Sequence, residues 1–262
     1  MELNIGSHMK TRNILPQNFR DVLIKPLTRN KFLVVGCDSC GAIGPKIGDV
    51  IKVDGSILGK FAVRTALMEV MAVGAKPICV ACGLGVEPKP TGESIIEGVL
   101  SEIRKVGLDQ SSLVISTEKN FETTQTSMGV SVIGLANLNE LKMGQAKDGD
   151  LIISLGVPSV GIEVLENEQK GLIADLEDLM KLLSLKFVHS VIPVGSKGIF
   201  YEMKVLAKEA EANLKLNQNP NIDMEKSAGP ATVILAAISG NRLEELKRYF
   251  KKPINLLARL EK

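Results

Sequence analysis

The feature that most constrains this chain is residues 32–50, FLVVGCDSCGAIGPKIGDV. Residues 32–35 are apolar and read as a strand that stops at an acid, Asp38. The loop after it carries Gly36, Gly41, Gly44 and Gly48, one lysine, Lys46, and a second acid, Asp49. Glycines let backbone amides approach an anion closely. Lysine supplies a point charge for phosphate. An aspartate at a strand end suits Mg²⁺, which is held by one or two carboxylates together with substrate phosphates. The same spacing also describes a solvated strand-to-helix loop, because glycine-rich turns are common. It is not a Walker loop, which needs Lys and then Ser or Thr after the second glycine, where this chain has Ala42 and Ile43.

The rest of the chain bounds the chemistry by elimination. Its 262 residues, 45% of them hydrophobic, suit one large domain or two ordinary ones. The net charge is +2, no basic stripe stands out, and aromatic residues are few, which argues against nucleic acid as a partner. No apolar run is long enough to cross a membrane and no signal peptide is visible, so a cytoplasmic protein is expected. The run GSHM at residues 6–9 reads as a tag-cleavage scar, with native numbering starting near Met9. If His8 belongs to that scar, His189 is the one histidine left, and its apolar neighbours Phe187, Val188 and Val191 point to a packed structural role. Acid–base and metal chemistry then falls to carboxylates.

The four cysteines form two CxxC pairs, Cys37/Cys40 and Cys79/Cys82, each followed by glycine. Such pairs resemble the knuckles of a zinc ribbon. The intervening segment is longer than a ribbon uses and contains a helical pattern. Residues 77–84 read as a strand, on which cysteines three apart point to opposite faces. Buried small hydrophobic side chains are the expected role, with structural zinc as the alternative. A disulfide framework does not suit a cytoplasmic chain.

Periodicity organises the remainder. Residues 22–24 are a short apolar run ended by Pro26, and residues 50–53 allow a short strand. Ile57, Leu58, Phe61, Ala62, Thr65, Met68 and Ala72 form one helical stripe over residues 56–73, ended by Gly74. Glu69 lies in the last turn of that helix, and Arg64 lies one and a half turns before it. Strands are expected over 77–85, 113–116 and 128–136, with a helix over 92–106 between the first two. Glu118 follows directly on the second of these strands. Three acids, Asp38, Glu69 and Glu118, thus each close an element and are candidates for one metal cluster. Residues 138–148 read as a domain boundary, giving domains 10–146 and 147–262. Beyond it come strands at 151–155, 231–238 and 254–260, helices from 162, over 174–185, 199–212 and 242–250, and a glycine loop at 195–198. The fold class is α/β, in two α+β domains.

Five stretches carry a family resemblance: VVGCDS, VRTALMEVMAVGAKP (63–77), STEKNFETTQTSMGVSVIG (116–134), DGDLIISLGVPSVG (148–161) and SAGPATVILAA (227–237). In this order they resemble the aminoimidazole-ribonucleotide-synthetase superfamily, which includes thiamine-monophosphate kinase, selenophosphate synthetase and a hydrogenase maturation factor. Asp38, Glu69 and Glu118 stand where the family's metal-binding Asp residues stand. The resemblance implies an N-terminal domain with a mixed sheet that pairs into a homodimer through a shared β-barrel. It implies a C-terminal α+β domain with a helix-covered sheet, and ATP and Mg²⁺ in a cleft near the interface. The branch most resembled is the α-ribazole kinases of cobamide salvage. Two of the three expected Asp positions hold Glu, and the second-domain acidic loop is replaced by residues 193–198, PVGSKG, which has no acid.

The expectation is therefore an ATP- and Mg²⁺-dependent kinase of a small molecule. Asp38, Glu69 and Glu118 would hold metal. Lys46 with the amides of Gly41 and Gly44 would cradle phosphate. Arg64 would face the phosphates or be a solvated surface arginine, and Asp49 would take the acceptor's proton or be a loop acid. Two alternatives stand beside it: ATP-driven activation in the same superfamily, and a non-catalytic nucleotide- or zinc-binding module.

Overall fold

The structure, a computed structural model, describes residues 20–218 and 220–262. The tag-like run at 6–9 and the start of the expected first domain lie outside them. The first half contributes a five-stranded sheet. Its strands are β1 (Val22–Pro26), β2 (Lys31–Gly41), β5 (Lys76–Leu84), β6 (Leu113–Thr117) and β7 (Ser127–Asn137), in the order β1-β2-β7-β5-β6. All neighbours are antiparallel except β5 and β6. Two short strands, β3 (Ile43–Gly44) and β4 (Ile51–Lys52), pair separately in parallel. The expected mixed sheet is present; among the described residues it is open and closes into no barrel.

β2 runs further than its sequence predicts. It continues through Asp38 to Gly41, so Asp38 sits within a strand and Gly36 belongs to no loop. Pairing across its whole length with β7, from Lys31↔Asn137 to Gly41↔Ser127, holds it extended past its apolar part. Gly36 has a different use. A Cβ there would lie 2.9 Å from Val70 and 3.1 Å from the carbonyl of Ala66, so its absence lets a helix lie directly on the sheet.

That helix is α1 (Gly55–Ala72). Asp54 caps it by accepting from Ser56 N at 2.9 Å, and Gly74 at φ +91° ends it. α2 (Glu93–Ile103) lies against α1. The 3₁₀ turn 104–106 accounts for the rest of the helix expected to 106.

The second half forms an antiparallel sheet. Its strands are β8 (Leu151–Gly156), β9 (Val188–Pro193), β10 (Asn213–Leu216), β11 (Val233–Ile238) and β12 (Ile254–Glu261), in the order β10-β12-β8-β11-β9. β8 and β11 are buried at every position, matching their unbroken apolar sequences. One face packs under α5 (Gly198–Glu209) through Ile199, Met203 and Leu206. The other, with Ile153, Leu155 and Ile234, joins the core that contains α1 and α4 (Leu176–Ser184). α1 touches β2 and β7 on one side and β9 and α4 on the other, so a single core runs through both halves. Burying each of its large apolar side chains contributes about 1.5–3 kcal/mol. α3 (Ile162–Gln169) and the short α6 (Leu243–Lys247) complete the set. Strands β9 and β10 are absent from the sequence reading. No helix among the described residues is long and apolar enough to cross a membrane.

Candidate active site

A cavity of about 360 Å³ lies where the two halves meet. One wall comes from β2 and α1. Alternation along β2 turns Phe32, Val34, Gly36, Asp38 and Cys40 toward the helix, and the close approach over Gly36 brings Glu69 down beside them. Asp38 and Glu69 both line the cavity, and so does Asp21, just before β1.

These acids are poorly compensated. Burial raises the Asp38 carboxyl above its ordinary value, against one backbone hydrogen bond at Ser39. Burial pushes Glu69 up to about 8; Glu202, Asp21 and Asp38 add to the rise and Arg20 opposes it. Half-buried carboxylates without a salt-bridge partner favour either a proton or a cation. Their oxygen donors are the hard type that Mg²⁺ prefers. Among the described residues no group of three or more His, Cys, Asp or Glu is placed to hold a metal ion unaided. The donor set therefore fits a Mg²⁺ that takes its remaining ligands from water and phosphate.

The facing wall is made of small and backbone groups: Gly161, Gly195, Ser196 and the segment 229–231. A Cβ at Gly195 would meet nothing within 4 Å, so that loop borders open space. Between the walls run Ile43, Ile51, Ile57, Phe61, Val164 and Leu165, an apolar strip suited to a flat ring.

The other residues singled out in the sequence lie elsewhere. Arg64 is 2% exposed and does not line the cavity. Neither expectation for it, phosphate contact or solvated surface, matches. It is clasped by Glu102 at 3.1 Å and Glu168 at 3.0 Å, and its guanidinium lies 4.7 Å from the Phe61 ring. Arg64 thus backs a cavity side chain from behind.

Asp49 is buried and fully engaged. Oδ1 accepts from Thr126 N at 2.6 Å, and Oδ2 accepts from Thr126 Oγ1 at 2.6 Å and Lys46 N at 2.8 Å. Gly44 adopts φ +150°, and a Cβ there would lie 2.5 Å from Thr126 Oγ1. The glycine and the acid together close this loop onto residues 124–126. Gly41, at the end of β2, is exposed.

Lys46 opens onto a second cavity of about 380 Å³, with Asp54, Glu87, Thr91, Ser94 and Thr123. Its Nζ lies 2.5 Å from Glu87 Oε2. Burial alone would raise Glu87, but hydrogen bonds from Lys46 and Thr91 outweigh it and hold the carboxyl at about 2. Residues 42–54 separate the two cavities, since Ile43, Ile51 and Val53 line the first while Lys46 and Asp54 line the second.

Glu118 follows β6 and lines neither cavity. Its carboxylate accepts from the backbone N–H of Asn120 at 2.6 Å and Phe121 at 3.2 Å, which holds it below its ordinary range. The structure thus brings Asp38 and Glu69 together and adds Asp21, while Glu118 stands apart. Asp21 went unread because an acid ahead of a short apolar run is a weak signal.

The cysteines are all free thiols. Cys82 is buried as expected, and burial pushes it up to about 12. Cys37 is exposed and borders the cavity, which corrects its reading as a core residue. His189 is half-buried with Nδ1 2.8 Å from Asp150 Oδ2, an anchored structural position.

Comparisons with known proteins bear on the fold. No curated protein matches the chain by sequence. Among solved structures, thiamine-monophosphate kinase from Stenotrophomonas maltophilia K279a superposes at a TM-score of 0.62 with 15% identity, covering 92% of this chain and 89% of that one. E. coli HypE, a hydrogenase maturation protein, gives 0.64 with 14% identity over 87% and 80%. AaThiL complexed with AMPPCP and TMP gives 0.62 with 13% identity over 95% and 86%. At these identities the likeness speaks for the fold. The sequence model of the AIR synthase related protein N-terminal domain matches residues 21–136, the segment that carries Asp21, Asp38 and Glu69. Residues 21–136 are therefore an AIR synthase related N-terminal domain.

Proposed function

We propose that the protein is an ATP- and Mg²⁺-dependent kinase of a small molecule, with α-ribazole as the acceptor. The observation that carries the reading is the cavity between the halves, where under-compensated carboxylates face a backbone-lined wall across an apolar strip. The likeness to thiamine-monophosphate kinase, and to AaThiL complexed with AMPPCP, supports the nucleotide.

In this reading Asp38 and Glu69 would hold Mg²⁺ together with water and phosphate oxygens, with Asp21 beside them on the cavity wall, and the ion would neutralise charge on the phosphates. The backbone at Gly195 and Ser196 receives phosphate oxygens. Phe61 and the neighbouring aliphatic side chains hold the ring of the acceptor and keep water from the transferring group. Lys46 stays paired with Glu87 in the separate second cavity and takes no part in the first. Asp49 and Arg64 hold the loop and the wall in place, and Glu118 is left out. The chain divides functionally into 10–146 and 147–262. It works as a homodimer in the cytoplasm, built on the outer face of the first sheet, where Leu23, Ile78 and Val114 are exposed.

Phosphorus NMR of the protein with Mg-ATP and α-ribazole tests this. A new phosphomonoester resonance matched by ADP is the expected result. ADP and inorganic phosphate without a new ester would replace the kinase with an ATP-driven activating enzyme. Unchanged ATP would overturn both.

A further inference from the structure

Away from the active site, a polar cavity of about 210 Å³ lies at the junction of the two halves. Lys142, Lys147, Lys186 and His189 line it, with Asn139 and Gln145. None of these three lysines makes an ion pair among the described residues. Lys142 is half-buried, and Lys147 and Lys186 are exposed; other half-buried lysines are matched, Lys46 with Glu87, Lys60 with Glu168, and Lys252 with Asp175 and Asp178. No acid lines the cavity among the described residues: Asp150 is buried and bonded to His189 Nδ1 at 2.8 Å, and Glu140 and Asp148 are bonded to Asn137 and to Lys262 N.

The lysines spring from fixed backbone. Lys142 N donates to Val73 O at 3.0 Å, and Ser190 Oγ donates to Lys142 O at 3.3 Å, which ties this residue to the end of α1 and to β9. Lys147 N donates to Asp150 Oδ2 at 2.8 Å, and Asp150 N returns to Lys147 O at 3.1 Å. Lys186 stands just ahead of β9, on which His189 lies.

We propose that this pocket is a binding site for a phosphate-type dianion. Each ammonium offers three donors and no acceptor, and two side-chain amides stand beside them. A doubly charged tetrahedral oxyanion can use such donors from several directions at once, and the cavity, of about 210 Å³, has room for a phosphate group with water or part of an ester beside it. Because its ligating groups come from both sides of the junction, an occupied pocket stiffens the two halves against each other. This holds whatever reaction the other cavity performs.

Calorimetric titration of the full chain with inorganic phosphate, at constant ionic strength in chloride, tests the proposal. Saturable binding at one site with a rise in melting temperature is expected. The exposed pair Lys147→Ala and Lys186→Ala should weaken it by about tenfold for each lysine removed. Asp38→Asn should leave it unchanged, which separates this site from the active site. Glycerol phosphate binding as tightly would identify the phosphate end of an ester as the ligand, whereas binding of inorganic phosphate alone would identify the free ion. A response that only follows ionic strength, or one that survives both lysine substitutions, overturns the proposal.

Discussion

The end of β2 and the loop that follows it each bury a carboxylate, and the two are satisfied differently. Asp49 accepts three hydrogen bonds from Thr126 and Lys46 and has no capacity to spare. Asp38 faces a cavity beside a second acid, Glu69, and both titrate above their ordinary values. Arg64 belongs with Asp49, since its charge is matched by Glu102 and Glu168 within the protein. A charge completed inside the fold contributes to stability, whereas a charge left incomplete at a cavity is available to a ligand. Substitutions should therefore separate the two classes, with stability changing in one and turnover in the other.

The largest effect is expected at Arg64. Arg64→Met leaves the buried Glu102 with Lys105 alone, at 2.8 Å, and should cost up to about 3–5 kcal/mol, read as a drop in the denaturant midpoint at unchanged slope. A loss below about 1 kcal/mol would move Arg64 out of the structural class. Asp38→Asn should reduce turnover by about a hundredfold or more while the melting temperature holds or rises, because a half-buried, under-compensated carboxyl is removed. Full activity in that variant would end the assignment. Asp49→Ala should do the reverse. It strips Thr126 of partners for its N–H and hydroxyl and should cost about 1–3 kcal/mol, with activity per folded molecule nearly retained.

The last comparison is a pH trend. Glu69 in the folded chain titrates at about 8, above its unfolded value. Between those two values the folded state binds more protons than the unfolded state, so stability falls as pH rises through the window. Thermal melting without nucleotide from about pH 5 to about pH 8 should show this fall, and Glu69→Gln should reduce it, leaving the part due to Glu202, which burial raises to about 7. Equal slopes in the two proteins would place Glu69 with Asp49.

Much of the fold was legible in one dimension. The stripe from Ile57 to Ala72, capped by Asp54 and ended by Gly74, is α1 within a residue at each end. The apolar runs of β8 and β11 are buried at every position. β10 was missed because the sequence NLKL is mostly exposed at a sheet edge and carries little apolar signal. β9 escapes the apolar pattern because His189 and Ser190 interrupt a run that is nevertheless buried at five of its six positions. β2 was cut short because its apolar residues end before its pairing with β7 does. Backbone hydrogen bonds across a sheet leave no trace in the strand that receives them.

The acids show the same division. Their residue types and their places at the ends of apolar runs are local facts, and the sequence by itself determined them, together with the order of helices and strands in the first half. Which acids share a cavity was decided only by the tertiary structure. The approach of α1 over Gly36 joins Glu69 to Asp38, the start of β1 adds Asp21, and the turn after β6 holds Glu118 apart. Hydrogen-bond partners far away in the sequence, Thr126 for Asp49 and Glu102 and Glu168 for Arg64, make one charged group structural and leave another open. A periodic pattern records which face of an element is buried. It does not record what that face meets, and the chemistry of a charged side chain depends on its neighbours.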